Sequence, residues 1–172
     1  IANIRGIEPF TTVNSPASHS AFTNFDELVD FIALLRNNCD GKPVGIKLCV
    51  GDEYELDEMI RTFKVRDNYP DFITVDGSEG GTGSAPPEHT NNVGMPLLDG
   101  LVMLRGKMKK WGLDENIKII ASGKIIDSFD VVRAIALGAN GVNIARGFMF
   151  SMGCIQARIC HRDRCPVGIT LS

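Results

Sequence analysis

Residues 43–50, PVGIKLCV, form a short, nearly continuous apolar run of the kind that predicts a β-strand. Residues 71–76 (DFITVD), 117–122 (IKIIAS) and 142–145 (VNIA) have the same character. Segments of helical period separate these runs, so strand and helix alternate along the chain. Apolar strands that alternate with helices are typical of a parallel sheet covered by helices. The sequence therefore predicts an α/β fold.

The intervening segments place apolar residues at helical spacing. Predicted helices cover residues 24–36, 53–65, 97–111, 128–137 and 147–159. Thr23 and Asn24 are candidate caps of the first, and Ser128 is the candidate cap of the fourth, which should stop at Gly138. Four βα units in one domain, residues 1–172, fit two architectures. One is an open doubly wound sheet, and the other is half of an eight-unit barrel, which needs about 250 residues when complete.

Composition excludes several classes of protein. The net charge is −3 and no basic stripe stands out, so nucleic acid is not an expected partner. No run of 18 apolar residues predicts a membrane span. Five cysteines, an odd number, do not resemble a secreted disulfide framework, so we expect a reducing, cytoplasmic setting. The chain starts at Ile1, which suggests processing or excision from a longer chain.

Two glycine-containing loops follow consecutive predicted strands. Their residues are Ser122, Gly123, Lys124, Ala145, Arg146 and Gly147. In barrels, the loops after the last two strands commonly hold a phosphate with a nearby helix N-terminus. The simpler interpretation is that βα loops need glycine for their turns.

Lys47 is the unusual residue of the first strand. Strand alternation puts it on the face opposite Ile46 and Leu48, so in a barrel it points into the interior. A buried ammonium needs an anionic partner. That partner is either Asp76 on the next strand or a cofactor that becomes negative on reduction, and both interpretations remain open.

The segment 77–84, GSEGGTGS, is rich in glycine. It lacks the Gly-Lys-Ser/Thr of a P-loop and the spacing GxGxxG. We interpret it as a loop that approaches a substrate closely. Its second part consists of Gly80, Gly81, Thr82, Gly83 and Ser84.

Three of the five cysteines lie in the segment 151–172. Cys154, Cys160 and Cys165, with Pro166 next, lack the paired Cys-x2–4-Cys spacing of zinc sites. A Cys-Pro at the end of the run favours iron–sulfur ligation. Three ligands suggest a three-iron cluster unless Cys49 supplies a fourth, and the alternative is three reduced thiols without metal.

Six strings, in order across residues 43–168, resemble the FMN-binding domain of the glutamate synthase family, above all its single-domain FMN-binding relatives. The strings are PVGIKLCVG, DFITVDGSEGGTGSAPP, NNVGMPLLDGL, IIASGKI, ALGANGVNIARG and GCIQARICHRDRCPVG. The resemblance implies a parallel (β/α) barrel of TIM type, present here as roughly its C-terminal half. It also implies FMN and a 3Fe–4S cluster, and an oxidoreductase that converts 2-oxoglutarate and ammonia to glutamate.

The resemblance assigns roles to the candidates. Lys47 corresponds to the family lysine near the flavin ring, residues 122–124 and 145–147 to the flavin phosphate loops, and residues 80–84 to the 2-oxoglutarate side. Cys154, Cys160 and Cys165 match the three cluster ligands in both spacings. In the implied reaction the cluster relays electrons, reduced flavin gives hydride to an imine of 2-oxoglutarate, and Lys47 steadies the anionic flavin.

Some features depart from the family. A glutamate follows the lysine strand in glutamate synthase, where this chain has Gly51, and Ile1 is no amidotransferase nucleophile. No nicotinamide motif is present, so the sequence does not identify the electron donor, and the resemblance implies a ferredoxin or a reductase subunit. Half a barrel should associate with a second copy or with the missing half.

Two alternatives to the glutamate synthase function remain. One is an inert fragment that keeps flavin-phosphate or iron–sulfur binding, and the other is a flavin oxidoreductase with another substrate.

Overall fold

A computed structural model gives the fold of this chain. It describes residues 2–12, 18–80, 88–89, 91–162 and 164–169, without the side chains of Ile4, Arg5 and His161. In order, the elements are α1 Ala2–Arg5, α2 Phe25–Asn38, β1 Gly45–Leu48, α3 Glu53–Val65, β2 Phe72–Asp76, α4 Leu97–Trp111, β3 Lys118–Ser122, α5 Ser128–Ala136, β4 Gly141–Asn143, α6 Arg146–Ser151 and a 3-10 turn Cys160–Arg162. The predicted α/β alternation is confirmed.

The four strands form one parallel sheet in the order β1-β2-β3-β4. In the part of the chain that the structure describes, this order never reverses, whereas a doubly wound sheet contains a reversal at its switch point. The order is therefore consistent with a segment of a TIM-type barrel. The register aligns Asp76 with Ser122 and Ser122 with Asn143, so the ends of β2, β3 and β4 lie side by side.

Helices cover one face of the sheet and bury its apolar side chains. Ile73, Val75, Ile119 and Ala121 are at most 1% exposed. Buried partners from α3 and α4 include Ile60, Phe63, Leu101, Leu104 and Met108. On the alternate strand positions, Lys47 and Asn143 are exposed, and Asp76 and Ser122 are half-buried. The fold thus leaves polar side chains at the strand ends, opposite the core.

Side-chain caps fix where the helices begin. Asn24 Oδ1 accepts from the Glu27 N–H, as predicted, and Thr23 donates from its N–H and its hydroxyl to Glu27 Oε2. The cap of α5 is Asp127 and not Ser128. Its carboxylate accepts from the Asp130 N–H, and the Asp130 side chain reaches back to the Asp127 N–H. This reciprocal pair makes Ser128 the first helical residue.

The prediction of a helix over 147–159 is wrong beyond Ser151. Gly153 takes a left-handed φ of 93°, its N–H donates to Phe150 O, and the Cys154 N–H donates to Met149 O. These two bonds are the Schellman motif that ends helices at glycine.

β4 is also shifted from its predicted range, to Gly141–Asn143, and α5 ends before Gly138, as expected. Within the described ranges, no helix is long and apolar enough to cross a membrane.

Candidate functional site

A cleft of about 560 Å³ opens at the carboxyl ends of the strands. Its described lining residues are Lys47, Asp76, Gly80, Ser122, Gly123, Lys124, Ile125, Asn143, Ala145, Arg146 and Met149. The volume falls in the range of small-molecule sites, roughly 300–1,000 Å³. Ligands of parallel α/β sheets bind at this end of the strands. The cleft brings together the candidate lysine, most of both candidate phosphate loops and the start of the glycine-rich loop.

Lys47 and Asp76 pair across β1 and β2 at the floor of this cleft. Lys47 Nζ lies 2.8 Å from Asp76 Oδ2, and the two side chains are 60% and 23% exposed. The register explains the contact, because Lys47 aligns with Thr74 and Asp76 lies two residues further along the same face. The predicted ion pair is confirmed. The ammonium also remains accessible from the cleft, so the pair does not exclude a ligand beside it.

The two candidate phosphate loops need their glycines. Gly123 has φ of +148°, and a Cβ there would lie 3.2 Å from the Gly77 nitrogen. A Cβ at Gly147 would lie 2.8 Å from Ile126 O and 2.9 Å from Ile144 Cγ2. Gly147 therefore packs closely against Ile126 and Ile144, while Ala145 and Arg146 line the cleft. α6 begins here with no side-chain cap on its first N–H groups.

Positive charge dominates the described lining. Lys47, Lys124 and Arg146 supply three cations, and Asp76 is the one carboxylate among those residues. A lining of charge +2 with backbone N–H groups nearby suits a dianionic group such as a phosphate monoester. The donor set and the glycine walls therefore fit the phosphate end of FMN.

The described part of the glycine-rich loop, residues 77–80, is held at two points. The Gly77 N–H donates to Ser122 O, and both carboxylate oxygens of Glu79 lie 3.0 Å from the Leu97 nitrogen. Glu79 therefore caps α4, whose own N-cap residue, Pro96, provides no side-chain bond. Gly80 lines the cleft, but the candidates Gly81, Thr82, Gly83 and Ser84 lie outside the described residues.

The segment that follows this loop contacts a residue of the cleft lining. Lys124 Nζ donates to Asn91 Oδ1 at 2.9 Å, and the Asn91 N–H donates to Ser78 O. Asn91 thereby links a candidate phosphate loop to the segment that follows the candidate substrate loop. Sequence reasoning missed Asn91 and Glu79, because neither has a local motif and their partners are 33 and 18 residues away.

A second, smaller cavity is lined by Cys154, Cys160 and Cys165 together. All three cysteines are half-buried, and the Gln156 N–H donates to Cys154 Sγ at 3.4 Å. Left-handed φ values at Gln156 and Arg158 bend the chain around the cavity. The three cysteines, which are close in the sequence, thus also line one cavity. Sulfur ligands with N–H donors nearby fit an iron–sulfur cluster.

The thiols converge without forming a metal site in this arrangement. Among the described residues, no group of three or more His, Cys, Asp or Glu is placed to hold a metal ion. Cys49 does not belong to the described lining of the cysteine cavity. Its Sγ lies 3.9 Å from Met95 O, and burial, aided by Asp76 and Glu79, raises the pKa of this thiol. The ligand assignment of the other three cysteines stays a prediction.

One helix separates the two cavities. Arg146 and Met149 of α6 belong to the lining of both. Sequence reasoning missed Met149, although its place three residues after Arg146 puts both on one helical face.

The fold and the cleft define an α/β domain with a cation-rich site at the carboxyl ends of parallel strands. The family profile described as "conserved region in glutamate synthase" matches residues 1–172, and the chain belongs to the glutamate synthase family. It is 45% identical to a Bacillus subtilis glutamate synthase large subunit-like protein, YerD, over 98% of this chain and 32% of that protein.

More distant relatives carry enzyme names. An archaeal-type glutamate synthase (NADPH) of Thermotoga sp. is 31% identical over 98% of this chain and 33% of that protein. A ferredoxin-dependent glutamate synthase of Arabidopsis thaliana is 29% identical over 98% of this chain and 10% of that protein. The chain spans about a third of the length of the first two relatives.

Proposed function

We propose that this chain is the C-terminal half of the FMN-binding (β/α)8 barrel of a glutamate synthase-type oxidoreductase, which converts 2-oxoglutarate and ammonia to glutamate. The observation that carries the proposal is the cleft at the strand ends, where three cations meet one carboxylate beside two glycine-walled loops. The unreversed strand order and the family membership support the barrel. The localisation we propose is the cytoplasm.

The phosphate end of FMN is assigned to the loops after β3 and β4. Ser122, Gly123 and Lys124 form one side, and Ala145, Arg146 and Gly147 form the other. The N-cap residue Ala145 provides no side-chain hydrogen bond to the first N–H groups of α6, so these groups can donate to phosphate oxygens. When bound, FMN supplies hydride transfer and a 3Fe–4S cluster supplies one-electron transfer.

Lys47 is assigned to the flavin ring. Its ammonium is accessible from the cleft and is oriented by the 2.8 Å contact with Asp76. A cation at this position stabilises an anionic group that is bound in the cleft. The substrate side is assigned to residues 80–84, of which Gly80 lines the cleft.

The cluster is assigned to Cys154, Cys160 and Cys165. Their shared cavity adjoins the cleft through Arg146 and Met149, so α6 residues lie beside both proposed redox sites. The names of the relatives specify NADPH or ferredoxin, and we propose that a ferredoxin or a reductase subunit serves as the electron donor. The missing barrel half, or a second copy of this chain, completes the sheet at its open edges.

The test is a titration of the intact protein, purified without air, with FMN and riboflavin. We expect FMN to bind and riboflavin, which lacks the phosphate, to bind at least about tenfold more weakly, a difference of about 1.4 kcal/mol. Equal affinities would show that the two loops do not hold a phosphate. Failure to bind either flavin would reject the assignment of the cleft.

A second candidate is a flavin oxidoreductase with another substrate. It is favoured by Gly51, which is exposed, has open space beside its Cα and stands where the family pattern has a glutamate. Turnover of the intact protein with ammonia and a different 2-oxo acid, but not with 2-oxoglutarate, would select this candidate. An inert fragment would bind FMN or iron and turn over neither.

A further inference from the structure

Arg146 occupies a distinctive position between the two cavities. It is the first residue of α6 and lines both the cleft at the strand ends and the cysteine cavity. Met149, one turn later, lines both cavities as well. Of these two residues, Arg146 is charged and Met149 is not.

Arg146 is half-buried, and no ion pair or hydrogen bond joins its guanidinium to another residue in the described ranges. Elsewhere in these ranges, half-buried arginines have carboxylate partners, as Arg36 has Asp71 and Arg105 has Asp114. A partly desolvated cation without a carboxylate is suited to an anionic ligand.

Each cavity also has a cation of its own. Lys124 belongs to the described lining of the cleft and not of the cysteine cavity, and the reverse holds for Arg158. Lys124, Arg158 and Arg146 therefore provide one test cation for the cleft, one for the cysteine cavity and one that is shared, and the cleft has Lys47 as a further cation of its own. The set allows the effect of the shared charge to be separated from a general loss of positive charge.

We propose that Arg146 is a positioning residue whose single charge acts on both cavities, raising the reduction potential of the group bound in each. The proposal rests on the proposed function, since it takes a flavin in the cleft and an iron–sulfur cluster at the cysteines. An electron added to either group makes it more negative, and a nearby cation stabilises that reduced form. Because Arg146 lines both cavities, removal of its charge changes both equilibria in the same direction.

The experiment is a spectroelectrochemical titration of the intact protein, in which the electrode supplies the electrons and each centre is followed by its own absorption. For Arg146→Gln we expect both potentials to become more negative. A tenfold weaker reduction equilibrium corresponds to about 59 mV for a one-electron couple and about 30 mV for a two-electron couple. Lys124→Gln should shift the flavin alone, and Arg158→Gln the cluster alone. Met149→Leu, which changes the same wall without changing its charge, should shift neither.

A shift of only one potential in Arg146→Gln, or of both in Met149→Leu, would overturn the proposal. If Arg146→Gln binds neither group, Arg146→Lys replaces it. This variant keeps the charge on a shorter side chain, so smaller shifts of both potentials in the same direction support the proposal, and a shift of one or none overturns it. Wild-type protein without flavin and iron would instead reject the proposed function, which is a distinguishable result.

Discussion

Lys47 Nζ lies 2.8 Å from Asp76 Oδ2, and the pair joins neighbouring parallel strands on the face of the sheet that the helices leave uncovered. Exposed ion pairs contribute only about 0–1 kcal/mol to stability. The Lys47 side chain is 60% exposed, so this pair belongs to that weak class. The fold therefore fixes the position of this ion pair in the cleft, and the pair itself contributes little to the free energy of unfolding.

Replacing Lys47 with methionine should therefore separate function from stability. We expect Lys47→Met to change the free energy of unfolding by less than about 1 kcal/mol. Turnover of the intact protein with 2-oxoglutarate should fall at least about tenfold, because the cleft loses its ring-side cation. Lys107→Met is the matched control. Lys107 pairs with Glu53 at 2.7 Å outside the cleft, so its loss should leave turnover unchanged. Equal turnover in the two variants would contradict the role of Lys47.

Removing one thiol should remove the cluster. We expect protein purified without air to contain iron and sulfide in the 3:4 ratio of a 3Fe–4S cluster. Cys160→Ser should abolish the visible iron–sulfur absorption, because only three thiols line the cavity. Cys49→Ser should keep this absorption, since Cys49 lies outside the described lining. Retention of the cluster in Cys160→Ser, or zinc in the wild type, would refute the ligand assignment.

Gly147 should tolerate no side chain. A Cβ there would approach Ile126 O to 2.8 Å, so Gly147→Ala should displace the loop and weaken FMN binding at least about tenfold. Gly141→Ala is the control, because a Cβ at Gly141, on the preceding strand, meets nothing within 4 Å. Fluorescence titration with FMN measures both variants. Unchanged affinity in Gly147→Ala would remove this loop from the site.

Asp71 lies at the opposite end of the strands and should affect stability alone. Burial by itself would raise the pKa of Asp71, but hydrogen bonds from the Val44 N–H and the Arg36 guanidinium outweigh it and lower the pKa. A lowered pKa means that the stabilisation is complete above the unfolded value, roughly 3.9, and is lost as the pH falls through the folded value.

We therefore expect Asp71→Asn to lower the free energy of unfolding by about 1 kcal/mol at pH 7, a value discounted because the Asp71 side chain is 45% exposed. The difference from wild type should narrow below about pH 4 in urea unfolding experiments. Asp40→Asn, at an exposed turn, serves as the control and should stay within about 0.5 kcal/mol of wild type. A difference that is constant from pH 7 to pH 3 would contradict the assignment.

The open edges of the sheet predict association. β1 and β4 each have one neighbour in the described sheet, and free parallel edges pair readily with other strands. We expect the isolated 172-residue chain to dimerise, or to bind the missing barrel half when both are present. Sedimentation equilibrium measures this directly. A stable monomer at high concentration, unaffected by the missing half, would contradict the prediction.

The sequence predicted best those features that depend on local pattern. The bounds of α3 and α4 match the predicted segments, because apolar residues recur there with helical period. The sequence did not predict helix ends that depend on the backbone conformation of one residue. At Gly153 a left-handed φ ends α6 eight residues before the predicted end. The sequence also did not predict contacts between distant residues, such as Glu79 capping α4. The cleft's candidate residues were found because strand ends are identifiable in sequence, whereas the shared position of Arg146 depends on packing.

We propose that the cleft of the intact protein supports reductive synthesis of glutamate. The most direct measurement is reoxidation of the reduced, intact protein without air, followed by the absorption of its flavin. We expect oxidised flavin to return when 2-oxoglutarate and ammonium are added together, with one glutamate formed for each flavin oxidised, and not when either is added alone. Flavin that stays reduced in the presence of both would contradict the account.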